Sequence, residues 1–180
     1  MEVEKLTQNY AKGERNFTEA NLSEADLEGA NLEGAILDRA TLDGANLDGA
    51  CLSNASLIHA DLNGASLKNA DLSGANLTGA ILDGAILDGA ILDGADLSQS
   101  ELTIANLSQA SLSDANLNEA NLCAANLESA NLSGASLAVA DLTDASLKEA
   151  DLEQANLNGA NLDRANLEGT LFDEHQSEEV

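Results

Sequence analysis

The chain has no proline and no tryptophan, and its aromatic content is one tyrosine and two phenylalanines in 180 residues. Small and medium aliphatics must therefore fill any interior, which makes a narrow and uniform core. Basic residues are scarce too: 7 Lys and Arg stand against 32 Asp and Glu, for a formal net charge of −25. Phosphate contacts need Lys and Arg, so direct binding of DNA or RNA is excluded. The opening Met1-Glu2-Val3-Glu4 does not begin a positive segment followed by an apolar run, and no stretch approaches ~18 apolar residues. Neither a signal peptide nor a membrane span is expected, and the cytoplasm is the default location. Acidic, aromatic-poor chains are often disordered. Here, however, hydrophobic residues make up 44% of the chain and recur with a strictness that disorder does not require.

Leucine stands at every fifth position from Leu22 to Leu167, and Phe17 and Phe172 extend the register at both ends. Alanine lies two residues before each leucine from Ala20 to Ala165, with Ser100 as the single departure. A period of five fits neither a continuous helix, where each step turns ~140°, nor a continuous strand, where an odd step alternates faces. Within one unit, however, Ala and Leu are two apart. A short extended segment then turns both inward and the residue between them outward, and the two residues after Leu bend the chain.

Bends such as Leu82-Asp83-Gly84-Ala85 place glycine at the second central position of a β-turn, where type II needs positive φ; Gly89 and Gly94 repeat the pattern. Units without that glycine, such as Leu107-Ser108-Gln109-Ala110, are expected to use type I. If each bend turns the chain by about a right angle, four units close a coil of about twenty residues, stacked at ~4.8 Å. Eight such coils make a rod ~38 Å tall.

The tandem A-(D/N)-L-x-x, as in Ala20-Asn21-Leu22 and Ala25-Asp26-Leu27, resembles the pentapeptide-repeat family. The resemblance implies an all-β, right-handed quadrilateral β-helix over residues 16–172. Residues 1–15 are expected to form a capping helix and lead-in: Val3, Leu6 and Tyr10 share one helical stripe, and Gly13 can end the helix. With Phe17 they make up the N-terminal cap. The run Leu6, Tyr10, Gly13, Glu14, Arg15, Asn16, Phe17 is similar to the lead-in of cyanobacterial and plastid members. Solenoids need such caps, because a terminal coil offers an open edge and a bare core. Leu171 and Phe172 are candidates to close the other end, before an acidic tail at 173–180 that is expected to be mobile.

Stacking residues twenty apart assigns most of the chemistry. Cys51 and Cys123 fall about four coils apart on opposite sides, ~19 Å, so both are expected to be free thiols. Lys68 lies between Asp48 and Asp88, Lys148 between Glu128 and Glu168, Arg39 follows Glu19, and Arg164 follows Asp144. These can be anion-binding points or relief of like-charge stacking, and the second accounts for their positions more simply. Asp83, Asp88 and Asp93 invite a calcium reading. They point from three successive faces, so no metal site is expected. His59 and His175 have no nucleophile or relay beside them, and no catalytic residue or cofactor is expected. Ser100 replaces an inward alanine, and its hydroxyl needs a backbone hydrogen bond.

Ile81, Ile86 and Ile91 occupy the outward position usually held by Asn, Asp or Ser. They form a candidate partner surface, although as a partial belt around the rod and not one patch, and tolerated variation accounts for them more simply; Ile36 and Ile58 on the first face make a second, smaller candidate. The leading functional reading is a non-enzymatic, rigid interaction or structural scaffold whose partner is another protein. Neither nucleic acid nor membrane is expected as a partner. The chain is expected as a monomer or as a homodimer through its C-terminal end.

The alternative is a DNA-mimicking rod that binds a type II topoisomerase, DNA gyrase, as some family members do, or another DNA-binding protein. Residues 16–172 carry 25 acids and 4 bases, a net −21. That is one charge per ~1.8 Å of rod, against ~1.7 Å in B-DNA. By face the sums are −3, −7, −5 and −6, so the charge surrounds the rod without a duplex-like track.

Overall fold

The computed structural model describes residues 3–172; the expected tail at 173–180 and His175 lie outside the described residues. The one helix among the described residues, α1 (Val3–Ala11), buries Leu6 completely, and Val3 and Tyr10 pack against the same core. It ends in a Schellman arrangement. Gly13, at φ 93°, donates to the Tyr10 carbonyl (2.9 Å), and Glu14 donates to that of Asn9 (3.0 Å). The Tyr10 hydroxyl donates to the Glu33 carbonyl (2.9 Å), and the Arg15 guanidinium sits 3.8 Å from the Tyr10 ring centre, so the helix end is tied to the first repeats.

From Asn16 onward the chain makes isolated parallel bridges, and every one joins residues twenty apart, from Asn16↔Ile36 to Asp151↔Leu171. Four five-residue units therefore make one circuit. A typical interior unit donates three backbone bonds to the circuits on either side and accepts three from them. Leu42 donates to Asp61 (2.6 Å), Gly44 to Asn63 (2.9 Å), and Thr41 to Ala20 (2.9 Å), while Ala45 closes the bend onto the Leu42 carbonyl (3.0 Å). This pattern satisfies the backbone of a coil that has no long strands of its own.

The inward set is as the period predicts. Phe17 and the leucines from Leu22 to Leu152 are buried, as are the alanines from Ala35 to Ala155. Toward the C-terminal end Leu157, Leu162, Leu167 and Phe172 are only partly buried, and Leu171 is 53% exposed. Ser100 is buried and donates its hydroxyl to the Leu97 carbonyl at 2.7 Å, which meets the need its position created.

The expected type I bends do not occur. The residue two after each leucine has positive φ, between 53° and 72°, whether it is glycine or not; Gln109, in the unit singled out for type I, is at 57°. The cause lies between coils. The N–H of this residue must reach a carbonyl in the next circuit, as Gln109 does to Glu128 at 2.9 Å, and only the left-handed conformation aims it there. Non-glycine residues accept a cost of about 1–2 kcal/mol each to keep that bond.

Where a corner residue with a side chain precedes a corner glycine, that side chain lies over the glycine one circuit on, as Asn54 does over Gly74 and Asp114 over Gly134. A methyl group on Gly79 would fall inside contact distance of the His59 ring, whose Nδ1 is 3.4 Å from the Gly79 carbonyl oxygen. Gly29 has open space instead. Gly79→Ala is therefore expected to lower stability by about 1–3 kcal/mol, combining left-handed strain with displacement of the ring. Gly29→Ala should cost only the strain. Equal losses in urea unfolding would show that the ring contact contributes nothing.

Candidate functional site: an ordered outer surface

The outward side chains are organised by one recurring need, the N–H of the residue after each leucine. Wherever the outward residue before leucine is Asn or Asp, its side-chain oxygen accepts that N–H, from Asn16 with Thr18 (3.0 Å) to Asn166 with Glu168 (3.1 Å). This is the local side-chain-to-backbone bond that Asn and Asp make well. It explains a preference that the sequence shows only as polarity.

In several units lacking that residue the acceptor comes from the circuit before. Asp38 takes the N–H of Ile58 (3.1 Å), Asp48 that of Lys68 (2.9 Å), Asp83 that of Thr103 (2.8 Å), Asp93 that of Ser113 (3.1 Å), and Asn118 that of Ala138 (3.0 Å). Asp88 accepts the Ser108 hydroxyl at 2.6 Å. The three aspartates that invited a calcium reading thus tie one circuit to the next. Among the described residues no His, Cys, Asp and Glu cluster is arranged to hold a metal ion.

Amide ladders reinforce the stack: Asn46 donates to Asp26 (3.1 Å), Asn116 to Asp96 (3.0 Å), Asn121 to Glu101 (2.8 Å) and Asn126 to Asn106 (3.1 Å). Two of the basic residues follow the expected columns, Arg39 with Glu19 (3.8 Å) and Arg164 with Asp144. Lys148 pairs with Glu128 and with the adjacent Glu149, both at 3.7 Å, and not with Glu168. Lys68 makes no ion pair among the described residues. The Asp48 carboxylate beside it is occupied by the Lys68 N–H and the Ser66 hydroxyl.

The Arg164 fork donates through Nε and Nη2 to both oxygens of Asp144, at 2.6 Å each. That bidentate bond holds the Asp144 carboxyl below its ordinary value and the guanidinium above its own. The Thr143 hydroxyl, followed by the Thr143 N–H, lowers Asp141 in the same way. A depressed carboxyl pKa means that its contribution to stability is complete above the unfolded value of 3.8 and is lost as pH falls through the lower folded value. Both contributions should therefore fade only below about pH 3.8. Arg164→Gln should move the Asp144 carbon titration back up toward 3.8 and leave that of Asp141 where it was, as read by carboxyl NMR. An unmoved Asp144 would mean that the fork does not form in solution.

The isoleucines lie where the register puts them. Ile81, Ile86 and Ile91 belong to three different ladders, bridged to Asp61 and Glu101, Ser66 and Asn106, and Asp71 and Ser111. Ile36, Ile81 and Ile91 are exposed, while Ile58 and Ile86 are half-buried. The structure adds two apolar residues that the sequence reading passed over: Ile104 and Val139, 65% and 63% exposed, both at bend corners. Cys51 and Cys123 are unpaired.

The family model for pentapeptide repeats matches in eight copies over residues 16–54, 50–89, 80–103, 105–138 and 137–173. No curated protein sequence gives a significant match. Among solved structures, HetL, a pentapeptide repeat protein involved in heterocyst differentiation regulation in the cyanobacterium Nostoc sp. strain PCC 7120, is 34% identical. That match covers 97% of this chain and 98% of HetL, with a TM-score of 0.29. Rfr23, from the cyanobacterium Cyanothece 51142, is 36% identical over 63% of this chain and 64% of its own, with a TM-score of 0.25. QnrB1, a plasmid-mediated fluoroquinolone resistance protein, is 21% identical over 91% and 89%, with a TM-score of 0.44. With the twenty-residue bridges and the inward Ala and Leu columns, the family model and the identity to HetL make the chain a member of the pentapeptide-repeat family, whose fold is the right-handed quadrilateral β-helix.

Proposed function

We propose that the chain is a non-enzymatic scaffold, an eight-coil rod over residues 16–172 closed at one end by α1 (Val3–Ala11) and the lead-in that follows it, which presents a fixed surface to a protein partner. The observation that carries this reading is the outer bonding pattern. Backbone and side-chain groups on the surface are largely committed to neighbours within the rod, so the surface is pre-organised for recognition. The interior supports the same reading: one Ala and one Leu per unit fill it, leaving little room for the cleft that a catalytic site needs. Two unpaired thiols fit work in the reducing cytoplasm.

The test is capture of proteins from the native cell extract on the immobilised full chain at physiological salt. Stoichiometric retention of a discrete protein is expected, and retention of nothing beyond what a charge-matched acidic polypeptide holds would defeat the reading. A second reading, DNA mimicry, is favoured by the linear charge density, −21 along residues 16–172. It predicts inhibition of gyrase supercoiling, or protection from quinolones, at micromolar protein in low salt. Absence of both effects would dispose of it.

A further inference from the structure

One corner of the rod differs from the other three. After the second face of each circuit the bend residue reads Gly44, Gly64, Gly84, Ile104 and Ala124 in successive coils, all without charge or polar side chain, before Asp144 and Arg164. The other three corners are interrupted within the same span by His59 and Glu119, by Asn69 and Gln109, and by Asn54 and Asp114. Ile104 stands in the middle of the run, 65% exposed, with its Cδ1 3.9 Å from where a side chain on Gly84 would begin. Ile81 lies one coil earlier on the adjoining face, and Ile86 lies just round the corner.

Ile104 breaks two local rules at once. It is a β-branched residue at φ 55°, a conformation costly for that side chain, and it exposes a large apolar surface to water. The strain is shared with every other non-glycine corner and is offset by the bond from the Ile104 N–H to the Cys123 carbonyl (3.0 Å); what sets Ile104 apart is a large exposed apolar side chain in a column without charge. The surroundings limit what can bind there. The second face is the most acidic, at −7, and Asp61, Asp83 and Glu101 border Ile81 and Ile104. A second copy, itself at −25, is repelled.

We propose that this corner is a docking site for a basic amphipathic helix of a partner protein. Ile104 is the knob that enters a hole between four side chains of that helix, Ile81 widens the apolar contact, and the acidic rim pairs with flanking Lys and Arg. The inference rests on the scaffold reading and narrows it to one corner of the rod.

The probe is a synthetic helical peptide with leucines along one face and lysines on the other, compared with a peptide of equal charge in which the leucines are serines. Binding is followed by fluorescence anisotropy at a salt concentration of about 150 mM, where the Debye length is ~8 Å. The full-length rod should bind the leucine peptide at least about tenfold more tightly. The double variant Ile81→Asn, Ile104→Asn should lose that preference with its thermal unfolding intact, since Asn tolerates the left-handed corner. Val139→Asn, at another corner with similar strain and exposure, should keep it. Equal binding of the two peptides, an unchanged preference in the double variant, or an equal loss in Val139→Asn would each overturn the corner assignment. Those results bear on the corner alone, because the scaffold reading fails separately, if the unmodified rod captures no partner.

Discussion

Leu87→Ala is expected to destabilise the rod by about 2–5 kcal/mol, in the upper part of that range. Leu87 is fully buried, with Leu67 and Leu107 in the same column one circuit to either side. What sets the cost is whether the cavity can collapse. The backbone of this unit is held from both sides, Leu87 donating to Asn106 at 2.7 Å and Ile86 to Ala65 at 2.9 Å, so closing the gap means breaking inter-coil bonds. Leu162→Ala provides the contrast. That leucine is only partly buried near the C-terminal end of the described residues, and its removal should cost about 1 kcal/mol or less. Urea unfolding followed by circular dichroism gives both numbers. Losses equal within error would mean that the rod relaxes as readily in its middle as at its end.

The second large effect is expected from Leu6→Asp. Full burial of a leucine contributes about 1.5–3 kcal/mol, and an ionised carboxylate in its place costs more than docking the helix can return. The helix should therefore leave the rod rather than carry the charge inside. A nine-residue helix is not stable alone in water, so α1 should unfold as it leaves, and the Tyr10 to Glu33 bond should go with it. Trypsin cleavage after Lys5 and Lys12 should accelerate by at least about tenfold, since cleavage follows the population of the open form. The β signal of the repeats should persist, with a lower melting temperature as the first coil loses its cover. Unchanged cleavage at Lys12 would show that Leu6 does not hold the helix in place.

Much of the rod was legible in the sequence because five-residue spacing leaves few alternatives. The inward Leu and Ala columns, the outward belt of Ile81, Ile86 and Ile91, the separation of Cys51 from Cys123 and the buried hydroxyl of Ser100 all follow from it. The turn at Gln109 was not legible: its residue type favours type I, and only the hydrogen bond to Glu128 in the next circuit reverses the preference. The same holds for Asp83 and Asp93, whose acceptors serve N–H groups twenty residues on, a relation that local reading does not show. Lys68 and Lys148 show the limit of column addresses, which give a neighbour but not whether its carboxylate is already engaged. Ile104 escaped notice because exposure at a bend is ordinary. What sets it apart appears only when its 65% exposure and the uncharged column around it are seen together.

The twenty-residue bridges also separate two kinds of change in length. Removing or adding one whole circuit shortens or lengthens the rod and leaves every surviving column in phase with the helix at Val3–Ala11. Removing a single five-residue unit leaves the interior equally well filled, since each unit contributes the same Ala and Leu, yet turns everything beyond it by a quarter revolution. Each acid, amide and isoleucine downstream then faces a new direction, over a different column from below. The interior cannot register such a slip and the exterior cannot escape it, so the fold tolerates rephasing that a partner reading one corner would detect at once.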